Sequence, residues 1–293
     1  MALDIIHNAP SFAERTTLGL GGTGLAQVTV RKEKDLEALP STLERLGGKP
    51  VVLGRGSNIL ARDGLLDLVA VRAEADAKFS VQSNRVLAGA ALRLPMLLAR
   101  LAAEGLSGLE GLSGIPGNVG GAVAMNAGSF GCEFKDCLRR VRVFTPERGL
   151  EWRTPDTFAM GYRHFCLNEE PDFFLILGVE LELAREDPGR VREHMRESYA
   201  KKKAVQPLGV RSAGCVFKNP EQGLSAGILL DKAGFRGKSL GGVALSDKHA
   251  NFLINTGGGT SAQAFELLDM ARQAVARQFG HTLEMEVKVW PCK

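Results

Sequence analysis

Residues 111–132 read Gly-Leu-Ser-Gly-Ile-Pro-Gly-Asn-Val-Gly-Gly-Ala-Val-Ala-Met-Asn-Ala-Gly-Ser-Phe-Gly-Cys and contain no charged side chain. Glycine has no Cβ and adopts positive φ readily, so successive backbone N–H groups in such a segment can converge on an anion. Asn118 and Asn126 add amide donors without adding charge. Pro116 and the repeated glycines argue against a buried or membrane-spanning helix. The segment therefore predicts a loop that binds a phosphate or pyrophosphate.

A second glycine turn lies earlier in the chain. Residues 51–53, Val-Val-Leu, have the pattern of a short buried strand, and Gly54-Arg-Gly-Ser-Asn58 follows directly. The two glycines permit a tight reversal, the arginine supplies a positive charge, and the serine and asparagine supply short polar side chains. The same residue types dominate ordinary turns, so this segment taken alone fits an ordinary loop better than a binding loop.

Two stretches resemble well-known nucleotide-binding motifs, but their context excludes both. Gly19-Leu-Gly-Gly-Thr-Gly24 has the spacing of a Rossmann fingerprint, yet residues 25–30 alternate and are β-branched like a strand, where that motif needs a helix. Gly237-Lys-Ser239 ends like a P-loop, but Lys232 occupies the position of its first glycine. The phosphate-binding segments therefore belong to neither common nucleotide fold.

The composition predicts a globular protein with well-formed hydrophobic cores. The chain has 293 residues, of which 44% are hydrophobic and 24% charged, and its net charge is +4. This mild positive charge suits a small anionic ligand and falls short of the basic face of a nucleic-acid-binding protein. The single basic run, residues 201–203, ends a helical pattern, where cations complement the helix dipole.

Cysteine usage and the N-terminus predict a reducing compartment. The five cysteines are odd in number and form no C-x-x-C pair, which argues against a disulfide scaffold and a structural zinc site. No signal peptide or membrane span is expected, because no stretch has the required long apolar core. We therefore expect a cytoplasmic protein with no nucleic-acid or membrane partner and no metal site.

Periodicity predicts alternating strands and helices with a change of character near residue 205. The expected strands are residues 25–30, 51–53, 68–72, Val141–Phe144, Phe173–Leu183 and Leu283–Val289. The expected helices are Asp35–Leu46 with an interruption at Pro40, one from Leu94 to Gly105, one opening at Asp187-Pro188, one at 225–233, and one capped by Thr260 and closed by Gly280.

Six ordered motifs resemble the UDP-N-acetylenolpyruvoylglucosamine reductase family, in its shorter subtype, nearly end to end. They are Leu53–Asn58, Gly114–Gly121, Gly161–Arg163, Ser212–Pro220, His249–Asn255 and Leu283–Val287. The resemblance implies an α+β fold with two α/β FAD-binding lobes of the vanillyl-alcohol-oxidase type, residues 1–72 and 73–204, and a smaller C-terminal α+β substrate-binding lobe, residues 205–283. It also implies that the strand within 284–293 returns to the first lobe.

The resemblance further implies an FAD held between the first two lobes, NADPH as the reductant, and a UDP-sugar as the substrate. Both glycine segments are then expected to hold FAD, in agreement with their independent interpretation as anion-binding loops. The expected cofactor residues are Gly54, Arg55, Gly56, Ser57, Asn58, Gly114, Ile115, Pro116, Gly117, Asn118, Gly120, Gly121, Ala122 and Asn126.

The catalytic residues implied by motif match are Arg163, Glu286 and Cys215. Hydride transfer from the flavin to an enol ether leaves an enolate beside a carboxylate, and this charge must be stabilised and protonated. Arg163 and Glu286 are expected to polarise the carboxylate, and Cys215 to deliver the proton. The family usually has serine where this chain has Cys215, and a thiol, with an ordinary pKa near 8.5, is a far better acid than an alcohol. A lone cysteine in another context would be read as a small buried hydrophobe.

The remaining candidates are Tyr162, Lys203, Arg211 and Asn219, which the resemblance places at the substrate. Without the resemblance, Tyr162 fits a packing residue equally well, and Arg163 fits a surface ion-pair partner better than a catalytic residue. The alternatives to the reductase are another FAD-dependent oxidoreductase of the same fold and a non-enzymatic nucleotide-binding module. An alcohol oxidase needs a base rather than an acid, which makes the Cys215 motif an argument against the former. The sequence specifies no oligomeric state.

Overall fold

The computed structural model describes residues 3–7, 11–75, 77–169, 171–221 and 223–291. Two 3-10 helices, Glu33–Ala38 and Glu110–Leu112, accompany the α-helices of these ranges. The α-helices are α1 (Phe12–Arg15), α2 (Leu39–Leu46), α3 (Leu94–Ala103), α4 (Val119–Ala124), α5 (Phe134–Cys137), α6 (Pro188–Val205), α7 (Ala226–Lys232) and α8 (Ser261–Phe279).

The strands within the same ranges are mostly short, and together with the helices they confirm the predicted α+β class. They are β1 (Asp4–His7), β2 (Thr23–Val30), β3 (Lys49–Val52), β4 (Ile59–Ala61), β5 (Leu65–Ala73), β6 (Phe79–Gln82), β7 (Arg85–Gly89), β8 (Leu106–Ser107), β9 (Gly128–Ser129), β10 (Cys132–Glu133), β11 (Leu138–Thr145), β12 (Gly149–Arg153), β13 (Phe158–Gly161), β14 (His164–Leu167), β15 (Leu175–Glu182), β16 (Ala184–Arg185), β17 (Ser212–Cys215), β18 (Ser239–Leu240), β19 (Val243–Leu245), β20 (Phe252–Asn255) and β21 (Lys288–Trp290).

The chain divides into two compact units. Unit 1 comprises Met1–His7, Ala26–Gly54 and Val69–Lys202, and unit 2 comprises Asn8–Leu25, Arg55–Leu68 and Lys203–Lys293. The three predicted lobes divide the chain differently, and their boundaries stay a prediction.

Unit 1 contains a four-stranded sheet, in the order β1-β2-β5-β3, and a five-stranded sheet, in the order β12-β11-β15-β7-β6. Its main apolar cluster joins the five-stranded sheet to α3, α4 and α5, with Leu97, Val123, Phe134 and Val179 fully buried. The helix α3 supplies Leu94, Leu97, Leu98 and Leu101 from one face, as its periodicity predicts.

Unit 2 has its own core around the sheet β17-β20-β19-β18 and the helices α7 and α8. The strand β21 pairs in parallel with β4, so the end of the chain returns to residues 59–61. The helix α8 begins and ends as predicted: Thr260 and Gln263 form a capping box, and Gly280 adopts a left-handed conformation with φ 72°.

Pro40 does not interrupt a helix, contrary to the prediction. The chain forms a 3-10 helix to Ala38, and Pro40 lies in the first turn of α2. Proline fits there because the first N–H groups of a helix have no partner within the helix.

Two predicted strands differ in detail from the structure. Residues 49–52 form β3 at the edge of their sheet, and Val52 is 41% exposed, so this strand is not buried. Only the last residues of Leu283–Val289 belong to a strand. Met285 forms an isolated bridge with Phe217, whereas the N–H of Lys288 bonds to Asn58, so the chain changes partners in the middle of the alternating pattern.

Candidate functional site

The glycine segment 114–121 in unit 1 is fixed by the chain that precedes α3. The N–H of Leu94 donates to the carbonyl of Gly117 at 3.0 Å, and the N–H of Val119 donates to the carbonyl of Leu92 at 2.9 Å. A Cβ at Gly120 would lie 2.9 Å from that of Ala90, a separation that only glycine permits. The predicted loop therefore consists of glycine turns that lead into the short helix α4.

A buried lysine holds the start of this segment. Lys202 is 2% exposed, and its Nζ donates to the carbonyls of Gly111 at 2.9 Å and Ser113 at 2.8 Å. Burial lowers the pKa of Lys202 to about 8. The sequence predicted for this residue only a place in a basic run that complements the dipole of a helix end. Its spacing from Val191, Met195 and Tyr199 on one face of α6 was the signal that could have identified it.

Asn126 lies just after α4 and is fully buried. Its Nδ2 donates to Oε2 of Glu133 at 3.0 Å and to the carbonyl of Gly161 at 2.9 Å, and its Oδ1 accepts from the N–H of Lys135 at 2.9 Å. The sequence predicted that this amide donates to an anion. The structure corrects that expectation, because protein atoms occupy both ends of the amide.

Tyr162 and Arg163 form the two-residue turn of the hairpin β13–β14, where Gly161 pairs with His164. Arg163 has φ 54°, an uncommon conformation for a residue with a Cβ. Its Nη2 donates to the carbonyl of Gly128 at 2.9 Å, and its guanidinium lies 4.9 Å from the centre of the Tyr162 ring, which is 44% exposed. These two candidates are therefore adjacent, and the arginine is tied to the end of the glycine-rich stretch.

The second glycine turn belongs mainly to unit 2. Gly56 has φ 63°, and a Cβ there would lie 2.4 Å from the carbonyl oxygen of Arg15, so the turn requires glycine. Thr17 donates its N–H to the carbonyl of Gly56 and its Oγ1 to the carbonyl of Ser212 at 2.6 Å. Asn58 donates its Nδ2 to the carbonyl of Glu286 at 3.2 Å. Unit 2 thus ties this turn to the strand of Cys215 and to the segment of Glu286.

Cys215 and Glu286 lie on chain segments that are bonded to each other. The N–H of Glu286 donates to the carbonyl of Val216, the residue after Cys215, at 2.8 Å. Cys215 ends β17 at a bulge, where Gly214 has φ 80° and donates its N–H to Oγ of Ser212. The Cys215 side chain is half-buried. Two of the three expected catalytic residues are therefore brought together by backbone hydrogen bonds of unit 2.

The other three substrate candidates in unit 2 have exposed side chains. Oδ1 of Asn219 accepts from the N–H of Ala226 at 3.1 Å, at the start of α7. Arg211 lies in the loop before β17, next to Gly19, and Lys203 lies near the end of α6. Their exposure leaves Lys203 and Arg211 accessible to an anionic ligand.

The residues of unit 1 fit the flavin nucleotide that the resemblance implies. The faces of Gly54 and Gly121 are open, because a Cβ built on either one meets nothing within 4 Å. Ser113 Oγ is buried and finds no hydrogen-bond partner in the described part of the chain. Glycines with open faces and a buried polar atom without a partner suit a large planar or phosphorylated ligand.

The described ranges contain no cluster of three or more histidine, cysteine, aspartate or glutamate side chains suited to a metal ion. No helix in the same ranges has the length and apolarity that crossing a membrane requires. Cys292, one of the five cysteines, lies outside the described residues.

Comparison with known proteins places the chain in a family. The profile of the FAD binding domain matches residues 25–154, and that of the UDP-N-acetylenolpyruvoylglucosamine reductase C-terminal domain matches residues 206–290. UDP-N-acetylenolpyruvoylglucosamine reductases of Nitratidesulfovibrio vulgaris and Oleidesulfovibrio alaskensis are each 51% identical to it, over 97% and 98% of this chain and 98% of each relative. The crystal structure of the Thermus caldophilus reductase superposes with a TM-score of 0.84 at 33% identity, covering 99% of this chain and 100% of that one. The resemblance predicted from six motifs is confirmed: the chain belongs to the UDP-N-acetylenolpyruvoylglucosamine reductase family.

Proposed function

We propose that this protein is an FAD-containing enzyme that uses NADPH to reduce UDP-N-acetylglucosamine enolpyruvate to UDP-N-acetylmuramate, a step of peptidoglycan synthesis, in the cytoplasm. The observation that carries the proposal is the succession of an FAD binding domain and the reductase C-terminal domain in one chain, together with 51% identity to two reductases over almost its full length.

FAD supplies the two-electron chemistry when it is bound, by taking a hydride from NADPH and passing it to the substrate. The residues proposed to hold it are those of the glycine segment 114–121 with Ala122, together with Gly54, Arg55, Gly56, Ser57 and Asn58. The open faces of Gly54 and Gly121 and the positive φ of Gly114 and Gly117, 86° and 120°, support this role.

The remaining chemistry is charge stabilisation at the enolpyruvyl carboxylate. Once the terminal carbon of the enol ether has gained a hydride, the electron pair of its double bond resides on the neighbouring carbon and the carboxylate. We assign Arg163 and Glu286 to polarising this carboxylate, and Tyr162, Lys203, Arg211 and Asn219 to binding the substrate. The carbonyl of Gly128 holds the guanidinium of Arg163, which supports a fixed rather than a mobile positive charge.

Cys215 is assigned the final proton transfer. Its S–H bond breaks, the proton goes to the carbon that carries the electron pair, and the thiolate takes a proton from water afterwards. A positioned acid typically accelerates such a step by about 10²–10⁴-fold. Its place on a bulge stabilised by Gly214 and Ser212, with Glu286 bonded to the next residue, supports this assignment.

An anaerobic spectrum of the purified protein tests the proposal. NADPH should bleach the oxidised flavin band, UDP-N-acetylglucosamine enolpyruvate should restore it, and the product should gain two hydrogens by mass. A flavin that NADPH reduces but the sugar nucleotide cannot reoxidise would mean a different FAD-dependent oxidoreductase. A protein that neither contains nor takes up FAD would overturn the proposal and favour a non-enzymatic module.

A further inference from the structure

The partly buried carboxylate of Glu133 and the fully buried amide of Asn126 form a pair next to the Tyr162–Arg163 turn. Asn126 has no exposed surface, and its φ is 39°, an uncommon backbone conformation for a residue other than glycine. A strained and fully buried polar residue persists only where its surroundings hold it firmly. All three hydrogen bonds of its amide go to protein atoms, so its conformation serves a contact inside the protein.

Glu133 completes the pair and fixes its orientation. Its Oε2 accepts from Nδ2 of Asn126 at 3.0 Å and pairs with Nζ of Lys135 at 2.9 Å. Its Cγ occupies the space beside Gly128, where a Cβ on that glycine would approach to 2.5 Å. Partial burial works against ionisation, but hydrogen bonds from Lys135 and Asn126 and the charges of Lys135 and Arg163 lower the pKa of Glu133 overall. An anionic Glu133 therefore orients the Asn126 amide with its N–H groups toward Gly161.

Two hydrogen bonds connect residues 126–133 to the turn. One runs from Asn126 Nδ2 to the carbonyl of Gly161, the residue before the turn, and the other from Arg163 Nη2 to the carbonyl of Gly128. The first fixes the backbone that carries the arginine, and the second fixes its guanidinium. The same stretch, residues 126–133, supplies both anchors.

We propose that Asn126 and Glu133 are positioning residues that set the place of the Arg163 guanidinium for the enolate-forming step. The proposal rests on the function assigned to Arg163 above. It gives the Asn126 side chain no direct contact with the cofactor; Asn126 acts through the turn instead. Asn126 then serves the reaction of the substrate and leaves flavin binding unchanged.

The variant Asn126→Asp tests this role. Aspartate keeps the oxygen that accepts from Lys135 but presents a second oxygen to Glu133 and to the Gly161 carbonyl, so the turn is pushed away. A displacement of about 1 Å in a positioned group can cost about 10²-fold in rate. We expect reoxidation of the reduced flavin by the sugar nucleotide to slow at least tenfold, while flavin reduction by NADPH and FAD affinity, measured by fluorescence titration of the apoprotein, stay within twofold.

The matched control is Asn168→Asp at the open end of the same hairpin. Asn168 is exposed and donates its Nδ2 to the carbonyl of Asp156 at 2.8 Å, so the substitution removes the same type of bond from the same hairpin. Both half-reactions of this variant should stay within twofold of the wild type. An equal slowing in both asparagine variants would reduce the role of Asn126 to general hairpin stability and overturn the proposal.

A double-mutant cycle with Arg163→Ala separates positioning from direct action. If Asn126 acts through the guanidinium, Asn126→Asp slows reoxidation less than twofold once Arg163 is alanine. If it slows both backgrounds by the same factor, or weakens FAD binding, the proposal is wrong. Should Asn126→Asp fail to fold, Glu133→Gln, which removes only the charge, is expected to slow the same half-reaction about threefold, and an unchanged rate would contradict the proposal. Failure of the wild type to turn over the sugar nucleotide would instead refute the proposed function itself.

Discussion

The segments that carry the candidate site are held in place differently in the two units. In unit 1, the glycine-rich stretch depends on side chains that donate to backbone carbonyls, in addition to its backbone hydrogen bonds with Leu92 and Leu94. These side-chain bonds run from Lys202 to Gly111 and Ser113, from Asn126 to Gly161, and from Arg163 to Gly128. In unit 2, the segments of Cys215 and Glu286 are joined by backbone hydrogen bonds. Backbone bonds survive a change of side chain, whereas side-chain bonds do not.

This difference predicts in which unit a substitution can remove catalysis without disturbing the fold. In unit 2 a reacting side chain can be replaced while its backbone partners remain, so the loss should be almost purely catalytic. In unit 1 a replaced anchor should displace the segment that it holds, which is the glycine-rich loop for Lys202 and the Tyr162–Arg163 turn for Asn126.

The largest effect is expected for Cys215→Ala. Loss of the proton donor should slow flavin reoxidation by the sugar nucleotide by about 10²–10⁴-fold, while reduction by NADPH and FAD content stay unchanged. Cys215→Ser should retain activity, because a hydroxyl can also donate the proton. Stopped-flow absorbance at the oxidised flavin band measures both half-reactions. Equal slowing of the two half-reactions in the alanine variant would instead indicate damage to the fold and remove Cys215 from the mechanism.

A smaller effect, on binding and stability together, is expected for Lys202→Met. The substitution leaves two buried carbonyls without a donor, which should lower the free energy of unfolding by about 2 kcal/mol and weaken FAD binding roughly tenfold. The matched control is Lys201→Met, because the Lys201 side chain is 67% exposed. Its unfolding free energy should change by less than about 0.5 kcal/mol. Urea unfolding and fluorescence titration of the apoprotein with FAD give both quantities, and identical results for the two lysine variants would contradict the buried anchor.

The pH dependence of stability gives an independent check on Lys202. Burial lowers its pKa to about 8, from an ordinary value of 10.5, so between these values the folded protein has released a proton that the unfolded chain still binds. Stability therefore increases with pH across this window, by at most about 1.4 kcal/mol per pH unit, relative to a variant without the amine. The neutral amine retains two N–H groups for its two carbonyls. The free-energy difference between wild type and Lys202→Met should widen from pH 8 to pH 10, and a constant or narrowing difference would refute the lowered pKa.

The smallest effect is expected for Asp63→Asn in unit 2. The Asp63 carboxylate accepts the N–H groups of Ser261 at 3.1 Å and Ala262 at 2.9 Å, at the start of α8. Loss of this charge at a helix N-terminus should lower the unfolding free energy by about 0.5–1 kcal/mol and leave both half-reactions unchanged. Asp269→Asn, in the middle of α8, serves as the control. It loses only an exposed ion pair with Arg272 and should lower the unfolding free energy by less than about 0.5 kcal/mol in a thermal unfolding measurement. A changed rate of flavin reoxidation in Asp63→Asn would contradict the expectation that residues supporting only the fold of unit 2 leave the reaction unaffected.

Local chemistry made much of this structure predictable. The capping box at Thr260, the left-handed Gly280 and the leucine face of α3 depend on residues a few positions apart, and each lies where the sequence predicts. The glycine segment was predictable for the same reason, because only glycine permits its positive φ angles and its close approach to Ala90.

Long-range bonds account for what the sequence did not predict. Lys202 finds its carbonyl partners about ninety residues earlier in the chain, and Asn126 finds Gly161 thirty-five residues later. The alternating residues 283–289 suggest one strand, but their partners change from Phe217 to Asn58 within it. No local pattern encodes which distant carbonyl a side chain will meet, so the anchors of the site emerge only from the folded chain.

The most direct test of the contrast between the units measures both half-reactions of Lys202→Met and Glu286→Gln side by side, with flavin content recorded for each. We expect Glu286→Gln to retain FAD and to slow only reoxidation by the sugar nucleotide, and Lys202→Met to bind FAD more weakly and to alter both half-reactions. Similar changes in both half-reactions and in FAD affinity for the two variants would contradict the contrast between the units.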